Sequence, residues 1–142
     1  MLDQFSYRQA SDLDPAAIVA FWRANDISVS KTDTPEQLRV AARVNPELFL
    51  VAVDGDGAIA GTVWGNFDGR RGFVVHLAVR RDLRNRGLGR DLMERLEARF
   101  RELGAWRVHL FVERSNLGVI DYYRGCGFEI RDDLVVMSKT FP

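Results

Sequence analysis

The most regular pattern of apolar and polar residues in this chain lies between Phe73 and Gly104. Phe73–Val79 is valine-rich and apolar except for His76, which is typical of a buried strand. Beyond it, apolar residues recur at three- and four-residue spacing, as on one face of a helix: Leu88, Leu92, Leu96, Phe100 and Leu103. Gly104 stands where a C-cap glycine is expected. The pattern therefore predicts a buried strand followed by an amphipathic helix.

Shorter patterns before this strand predict two helices and two hairpins. Ser11 or Asp12 can cap a helix that has Pro15 in its first turn, and Thr34 can cap a second helix that begins at Pro35. Earlier strands are predicted at Gln4–Ala10, Leu48–Val53 and Ala58–Phe67. A turn rich in aspartate and glycine joins the strand Leu48–Val53 to the strand Ala58–Phe67. A second such turn joins Ala58–Phe67 to the central strand.

The remainder of the chain adds a helix and three strands. Trp106–Glu113 is predicted to lie beside the central strand, and Asn116–Arg124 is predicted to be a short helix. Further strands are expected at Phe128–Arg131 and Leu134–Thr140. The resulting order, β-α-α-β-β-β-α-β-α-β-β, predicts an α+β fold with a mixed sheet.

Composition and charge fit a single soluble domain spanning residues 1–142. Hydrophobic residues make up 46% of the chain and charged residues 28%, as in ordinary globular proteins. Twenty basic residues balance twenty acidic ones, so no overall field would recruit nucleic acid or an acidic membrane. The sequence therefore argues against nucleic-acid and membrane partners.

Cysteine usage and hydropathy suggest a cytoplasmic protein. Cys126 is the only cysteine, which leaves no internal disulfide and favours a reducing compartment. Its two glycine neighbours and the lack of an adjacent base indicate packing rather than nucleophilic catalysis. No apolar run is long enough to span a bilayer, and the N-terminus lacks the layout of a signal peptide.

The turn between the central strand and its helix has the composition of an anion site. Its sequence, RNRGLGR, places two glycines two residues apart, which lets successive N–H groups point into one concavity. The following helix directs the positive end of its dipole to the same place, and three arginines add charge. The spacing is not that of a P-loop, and Leu92 replaces the third glycine of a dinucleotide fingerprint.

Two motifs resemble those of the GCN5-related N-acetyltransferases (GNAT). The first is R-x-x-G-x-G following a strand that ends in Leu77-Ala78-Val79. The second is an asparagine, Asn116, followed by Tyr123 and then Gly127-Phe128. The order of predicted elements is also similar over nearly the whole chain. The resemblance implies a mixed sheet of about six or seven strands with four helices in a three-layer α/β/α arrangement.

The resemblance further implies a site for acetyl-CoA, with no metal. The turn would bind the coenzyme through residues Arg84, Asn85, Arg86, Gly87, Leu88, Gly89 and Arg90. Main-chain groups of Leu77, Ala78 and Val79 would contact the pantetheine arm. Asn116 would contact the arm or the acetyl region, and Tyr123 would act as general acid toward the departing thiolate.

The general base departs from the family pattern. Many relatives carry a glutamate on the central strand, where this chain has Val74-Val75-His76. His76 is one candidate base, and Glu113 at the end of the neighbouring predicted strand is another. Deprotonating a lysine-type amine at pH 7 costs roughly 4.6 kcal/mol, against about 1–1.4 kcal/mol for an α-amino group. A low-pKa amine or a water chain is therefore also compatible with the missing glutamate.

The predicted function is acetyl transfer from acetyl-CoA to a primary amine by direct attack in a ternary complex. The alternative is an acetyl-CoA-binding sensor with weak or no catalysis, which the missing glutamate favours and the presence of Asn116 and Tyr123 opposes. The acceptor stays open, whether a small molecule or a protein α-amine. The pocket for the acceptor could be lined by three aromatic residues that are otherwise part of the core: Trp22, Trp64 and Phe67. Monomer and homodimer are both compatible with the sequence.

Overall fold

The computed structural model describes residues 2–142, and contacts divide the chain into two compact units. The first unit ends at Phe111 and the second is Val112–Pro142. The first unit contains β1 (Ser6–Gln9), α1 (Pro15–Ala24), α2 (Pro35–Val44), β2 (Phe49–Val53), β3 (Ile59–Phe67), β4 (Arg71–Val79), α3 (Leu88–Glu102) and β5 (Arg107–Leu110). The second contains α4 (Leu117–Gly125). Up to α4, the order of helices and strands is the predicted one.

The sheet is mixed, as the sequence predicted. Its strands lie in the order β1-β2-β3-β4-β5, and each neighbouring pair from β1 to β4 is antiparallel. The last pair is parallel and joins Arg71–Val74 to Arg107–Leu110. The described residues thus form five strands, fewer than the six or seven expected.

Helices cover both faces of this sheet. Side chains alternate between the two faces along β3, so neighbouring β3 residues contact helices on opposite sides. Thr62 faces α1, where its Oγ1 accepts a hydrogen bond from the Trp22 Nε1–H at 2.9 Å. Gly61 and Gly65 have the opposite parity and face α3. A Cβ at Gly65 would lie 2.7 Å from Phe100, so the glycine allows α3 to pack closely on the sheet. The first unit is therefore three layers thick, with α1 and α2 on one side and α3 on the other.

The apolar face of α3 is close to the one predicted. Four of the five predicted residues are buried, together with Met93: Leu88, Leu92, Leu96 and Phe100. Leu103 was expected among them but is 40% exposed, because it is the C-cap residue beyond the last helical turn. Gly104 adopts φ +84° and ends the helix as predicted, with the Ala105 N–H donating to the Phe100 carbonyl at 3.0 Å.

The helix starts were predicted with one error. Thr34 caps α2 as expected, accepting a hydrogen bond from the Gln37 N–H at 3.2 Å. The cap of α1 is Asp14, which accepts from the Ala16 N–H at 3.0 Å. Ser11 and Asp12 were the predicted caps but form part of a short 3₁₀ helix, Ala10–Asp12, which ends before α1 begins.

The two strands predicted near the C-terminus, at Phe128–Arg131 and Leu134–Thr140, are wrong. Both segments are irregular in the described structure, and Val135 and Met137 are 84% and 89% exposed. Apolar, β-branched composition favours an extended chain, but a strand also needs a hydrogen-bonded partner. The strand predicted at Trp106–Glu113 shortens to Arg107–Leu110 for the same reason, since its pairing with β4 stops there.

No helix in the described part of the chain combines the length and apolar character that crossing a bilayer requires.

Candidate active site

The turn that precedes α3 has the backbone shape of an anion-binding nest. Asn85 and Gly87 adopt positive φ angles of 63° and 91°, on either side of Arg86. Gly87 is left-handed and is followed by the right-handed helical residue Leu88, and such an alternation turns successive N–H groups toward one side of the chain. Asparagine tolerates the left-handed region better than most residues, so Asn85 suits its place beside the glycine.

The nest continues into the N-terminus of α3. Gly87 is the N-cap residue and has no side chain to satisfy the first helical N–H groups. A Cβ built on Gly87 would meet nothing within 4 Å, and the segment 84–87 is exposed. Main-chain donors and the positive end of the helix dipole are therefore open to an anion from solvent.

Arg84 holds this turn in place through three hydrogen bonds. Its Nε donates to the Val79 carbonyl at 3.0 Å, Nη1 to the Asp26 carboxylate at 3.0 Å, and Nη2 to the Asn25 carbonyl at 2.8 Å. Hydrogen bonds from Arg81 and then Arg84 lower the pKa of Asp26 to about 2. The guanidinium thus anchors the turn to β4 and α1, and its predicted contact with the coenzyme stays a prediction.

A bulge interrupts β4 where the candidate base lies. Thr62 of β3 pairs with Ala78, whereas Trp64 pairs with Val75, so β4 holds one extra residue between these pairs. His76 lies in this insertion and has a φ angle of +52°. Bulges bend a strand and redirect a side chain, and they are common beside active sites.

Beyond the bulge, the described ladders pair β4 on one side only. Leu77–Val79 follows β3, whereas the parallel ladder with β5 includes only Arg71–Val74. Unpaired main-chain groups along such an edge can bind a ligand that carries amides. Of the three residues predicted for this role, Ala78 pairs with Thr62 of β3 and the Val79 carbonyl is bonded to Arg84, which leaves the main chain of Leu77 best placed.

His76 is held by a carboxylate and by aromatic rings. Its Nε2 lies 3.2 Å from Oδ1 of Asp33. Its ring centroid lies 4.5 Å from that of Trp22 and 6.1 Å from that of Trp64. Its main-chain carbonyl accepts a hydrogen bond from the Thr62 hydroxyl at 3.2 Å. The side chain is 23% exposed, so the ring is oriented without being sealed from solvent.

Asp33, the residue before the predicted cap Thr34, was not among the candidate site residues. The local spacing of Ser30 and Asp33 is typical of a side-chain-stabilised turn, and Asp33 Oδ2 accepts from the Ser30 N–H at 2.9 Å. That spacing carries no signal of a partner 43 residues away. The pairing with His76 arises only when the chain folds.

Two of the motif residues lie on α4, in the second unit. Asn116 is the N-cap, and its side chain accepts from the Val119 N–H at 3.4 Å. Tyr123 packs edge-on against Phe128, with ring centroids 5.7 Å apart. Burial, with a smaller effect of Cys126, raises the pKa of Tyr123 to about 12. Its phenol therefore stays protonated at neutral pH and can donate a hydrogen bond.

The remaining candidate residues range from exposed to fully buried. Glu113 is exposed and lies beyond β5, so it does not end a strand as predicted. Trp22 is fully buried in a stack with Phe49 and Trp64, which identifies it as a core residue. Trp64 and Phe67 are partly exposed, and their predicted place beside an acceptor is untested.

The structure gathers some of the predicted site residues into one unit. The turn before α3, the edge of β4 and His76 all belong to the first unit, whereas Glu113, Asn116 and Tyr123 belong to the second. The predicted site residues are thus divided between the two units.

Comparison with known proteins agrees with the motifs. The model of the acetyltransferase (GNAT) family matches residues 16–128. An acetyltransferase of Pectobacterium atrosepticum is 34% identical over 126 residues, which are 89% of each chain. The crystal structure of Ard1 from Thermoplasma volcanium is similar, with a TM-score of 0.74, 25% identity, and coverage of 90% of this chain and 84% of that one. The NatC complex bound to Gag peptide and CoA has a TM-score of 0.74 at 22% identity, covering 87% and 83%.

Proposed function

Since this chain belongs to the GNAT acetyltransferase family, we propose that it transfers an acetyl group from acetyl-CoA to a primary amine by direct attack in a ternary complex. The predicted family and enzyme class, an acetyltransferase, are thereby confirmed. The choice of acetyl-CoA as donor is supported chiefly by one observation, the open nest formed by Asn85 and Gly87 at the N-terminus of α3.

The nest suits the diphosphate of coenzyme A. Its main-chain N–H groups can donate hydrogen bonds directly to the phosphate oxygens. Arg86 and Arg90 add positive charge nearby. The pantetheine arm carries amides, which match the main-chain groups of Leu77 on the one-sided edge of β4. These contacts position the thioester beside the bulge that carries His76.

His76 is the candidate that we favour as general base. Its ring is fixed on two sides and remains partly open, as a proton acceptor for a bound amine requires. Glu113 is the alternative, and its exposure and its place in an irregular segment make it the weaker one. The amine nitrogen attacks the thioester carbonyl directly, so no acyl-enzyme is needed.

Tyr123 would assist the leaving thiolate by donating a hydrogen bond. Its pKa of about 12 lies well above that of a thiol. With about 8.5 for the thiol, complete proton transfer would be uphill by roughly 5 kcal/mol. We therefore expect the phenol to stabilise the thiolate while the proton comes from the attacking nitrogen.

A catalytically weak acetyl-CoA sensor is the second candidate. The observation that favours it is the absence of an acidic residue in Val74-Val75-His76, where the family commonly has glutamate. Such a protein would bind acetyl-CoA with normal affinity and release no thiol in the presence of acceptors.

Thiol release in an acceptor panel separates the two functions. The protein is incubated with acetyl-CoA and amino acids, polyamines, aminoglycosides or peptides with free α-amines. Peptides belong in the panel because the NatC complex, which has a similar fold, is bound to one. Release that depends on one acceptor class supports the enzyme. Acetyl-CoA binding without acceptor-dependent release supports the sensor, and absence of binding contradicts both.

The role of Tyr123 is tested by comparing Tyr123→Phe with Tyr122→Phe. Removing the Tyr123 hydroxyl should lower kcat by about 10²–10³-fold, as for loss of one hydrogen-bond donor to a developing anion, with little change in acetyl-CoA affinity. Tyr122 is the exposed neighbour on the same helix and serves as the matched control. Equal activity of the two variants would remove Tyr123 from the mechanism.

A further inference from the structure

We infer that Asp33 is a positioning residue, which binds Nε2 of His76 so that Nδ1 takes the proton from the acceptor amine. This inference rests on the proposed function in one respect, the proton transfer. The orientation of the ring can be tested without it.

The carboxylate of Asp33 is itself fixed. Its Oδ1 lies 3.2 Å from Nε2 of His76. Its Oδ2 accepts hydrogen bonds from the Ser30 N–H at 2.9 Å and from the Ser30 hydroxyl at 3.2 Å. The side chain is only 7% exposed. The two oxygens thus have different partners, and rotation of the carboxylate would break the contacts of both.

This arrangement selects one form of the neutral imidazole. An ionised carboxylate only accepts hydrogen bonds, so the nitrogen that faces it must carry the hydrogen. A neutral imidazole has one N–H, and Asp33 therefore places it on Nε2. The lone pair is left on Nδ1, which becomes the basic atom.

The surroundings of the ring agree with this assignment. Trp22 from α1 and Trp64 from β3 pack against the imidazole and carry no titratable group. Asp33, from the segment before α2, is the charged side chain that faces the ring.

The proton transfer balances without another reactant. Nδ1 of His76 accepts one proton from the acceptor ammonium group, and the freed lone pair forms a C–N bond to the thioester carbonyl carbon. The C–S bond then breaks, and the thiolate leaves with its electron pair and takes a second proton from the nitrogen. The imidazolium finally releases its proton to water.

Nitrogen-15 NMR of the histidine rings tests the orientation directly. The chain has two histidines, so His109 provides an internal reference. In the wild-type protein at a pH where it is neutral, we expect His76 to carry its hydrogen on Nε2. A hydrogen on Nδ1 would overturn the inference, and this measurement needs no variant.

The Asp33→Asn variant should reverse the tautomer. The amide oxygen would replace Oδ2 and keep the hydrogen bonds from Ser30, which turns the amide NH₂ toward Nε2 of His76. Nε2 must then accept, and the hydrogen moves to Nδ1. The His109 signals should stay unchanged. A variant that folds and keeps the hydrogen on Nε2 would show that Asp33 does not set the ring.

Kinetics of the same variant test the catalytic consequence. With the lone pair of Nδ1 lost, we expect kcat/KM to fall roughly 10–100-fold, as when the partner that orients a functional histidine is removed. Acetyl-CoA affinity should be unchanged. Asp56→Asn, at an exposed turn, is the matched control and should have wild-type activity.

Two results distinguish failure of this inference from failure of the proposed function. A reversed tautomer with undiminished kcat/KM would overturn the role of Nδ1 while acetyl transfer stands. Lack of thiol release by the wild-type protein would overturn acetyl transfer and the proton step with it, while the NMR result still decides whether Asp33 orients His76.

Discussion

The turn before α3 and the bulge in β4 are neighbours along the chain but are built in different ways. The turn is exposed and consists mainly of backbone, with two positive φ angles and an uncapped helix terminus. The bulge is partly buried, and the side chains around its His76 ring come from α1, β3 and the segment before α2. The first is local in sequence and the second is not.

This difference explains why one was predicted in detail and the other was not. Glycine spacing, helix periodicity and a preceding strand all lie within residues 73–104, so the shape of the turn could be inferred from neighbouring residues. Asp33 and His76 are 43 residues apart, and neither position has a local pattern that identifies the other. The candidate base could be named, but its orientation could not.

The largest expected effect concerns the bulge. His76→Ala should lower kcat/KM by about 10²-fold near neutral pH, because under the proposed mechanism the acceptor amine loses its general base. The loss should shrink at alkaline pH, where more of the amine is already deprotonated. Acetyl-CoA affinity, measured by calorimetry, should not change, since the nest is untouched.

His109→Ala is the control for that measurement, because it removes the other histidine of the chain from β5. A similar loss in both variants would contradict a specific role for His76. Loss of acetyl-CoA affinity in His76→Ala alone would show that the bulge and the turn do not act separately.

A smaller effect is expected from the turn. Gly87→Val places a β-branched residue at φ +91° and should weaken acetyl-CoA binding about tenfold, which corresponds to about 1.4 kcal/mol. The expected cause is a distorted nest, and calorimetry gives the affinity directly. Turnover at saturating acetyl-CoA should be nearly unchanged.

Gly57→Val is a matched control, since Gly57 also has a positive φ angle, 81°, and open space around its Cβ position. It should cost similar stability with no change in affinity. Equal weakening of binding by both variants would mean that the turn acts through global stability rather than through its own shape.

The smallest effect is a pH dependence of stability. The pKa of Asp26 falls from 3.8 to about 2 because Arg81 and Arg84 bind its carboxylate. A carboxyl group with a lowered pKa stabilises the folded state above its unfolded pKa, and this contribution is lost as the pH falls from about 4 to about 2. Asp26→Asn should therefore flatten the loss of stability in that window.

The effect should be modest, because Asp26 is exposed and screened by solvent. Denaturant unfolding at several pH values between 2 and 6 measures it. Asp12→Asn, an exposed aspartate on the 3₁₀ helix Ala10–Asp12, is the control. An unaltered pH profile in Asp26→Asn would contradict the stabilising ion pairs of Asp26 with Arg81 and Arg84.

Much of the fold was predictable where the signals are short-range. The order of elements up to α4, the Thr34 cap, the Gly104 terminus and the buried face of α3 follow from residues a few positions apart. The same holds for the shape of the turn before α3, although Asn85 was predicted only as a coenzyme contact and its positive φ angle was not foreseen. These features depend on backbone sterics and on helical and strand periodicity, which a sequence displays directly.

Features that need a distant partner were decided by tertiary structure. The apolar segment Leu134–Thr140 reads as a strand, yet no described ladder includes it. Arg84 reads as an anion ligand, yet its guanidinium is bonded to Val79, Asp26 and Asn25. The sequence alone determined the family, the turn before α3 and the helix that follows this turn. Only the folded chain decided which carboxylate faces His76, because hydrogen bonds between distant segments depend on how the sheet and helices pack.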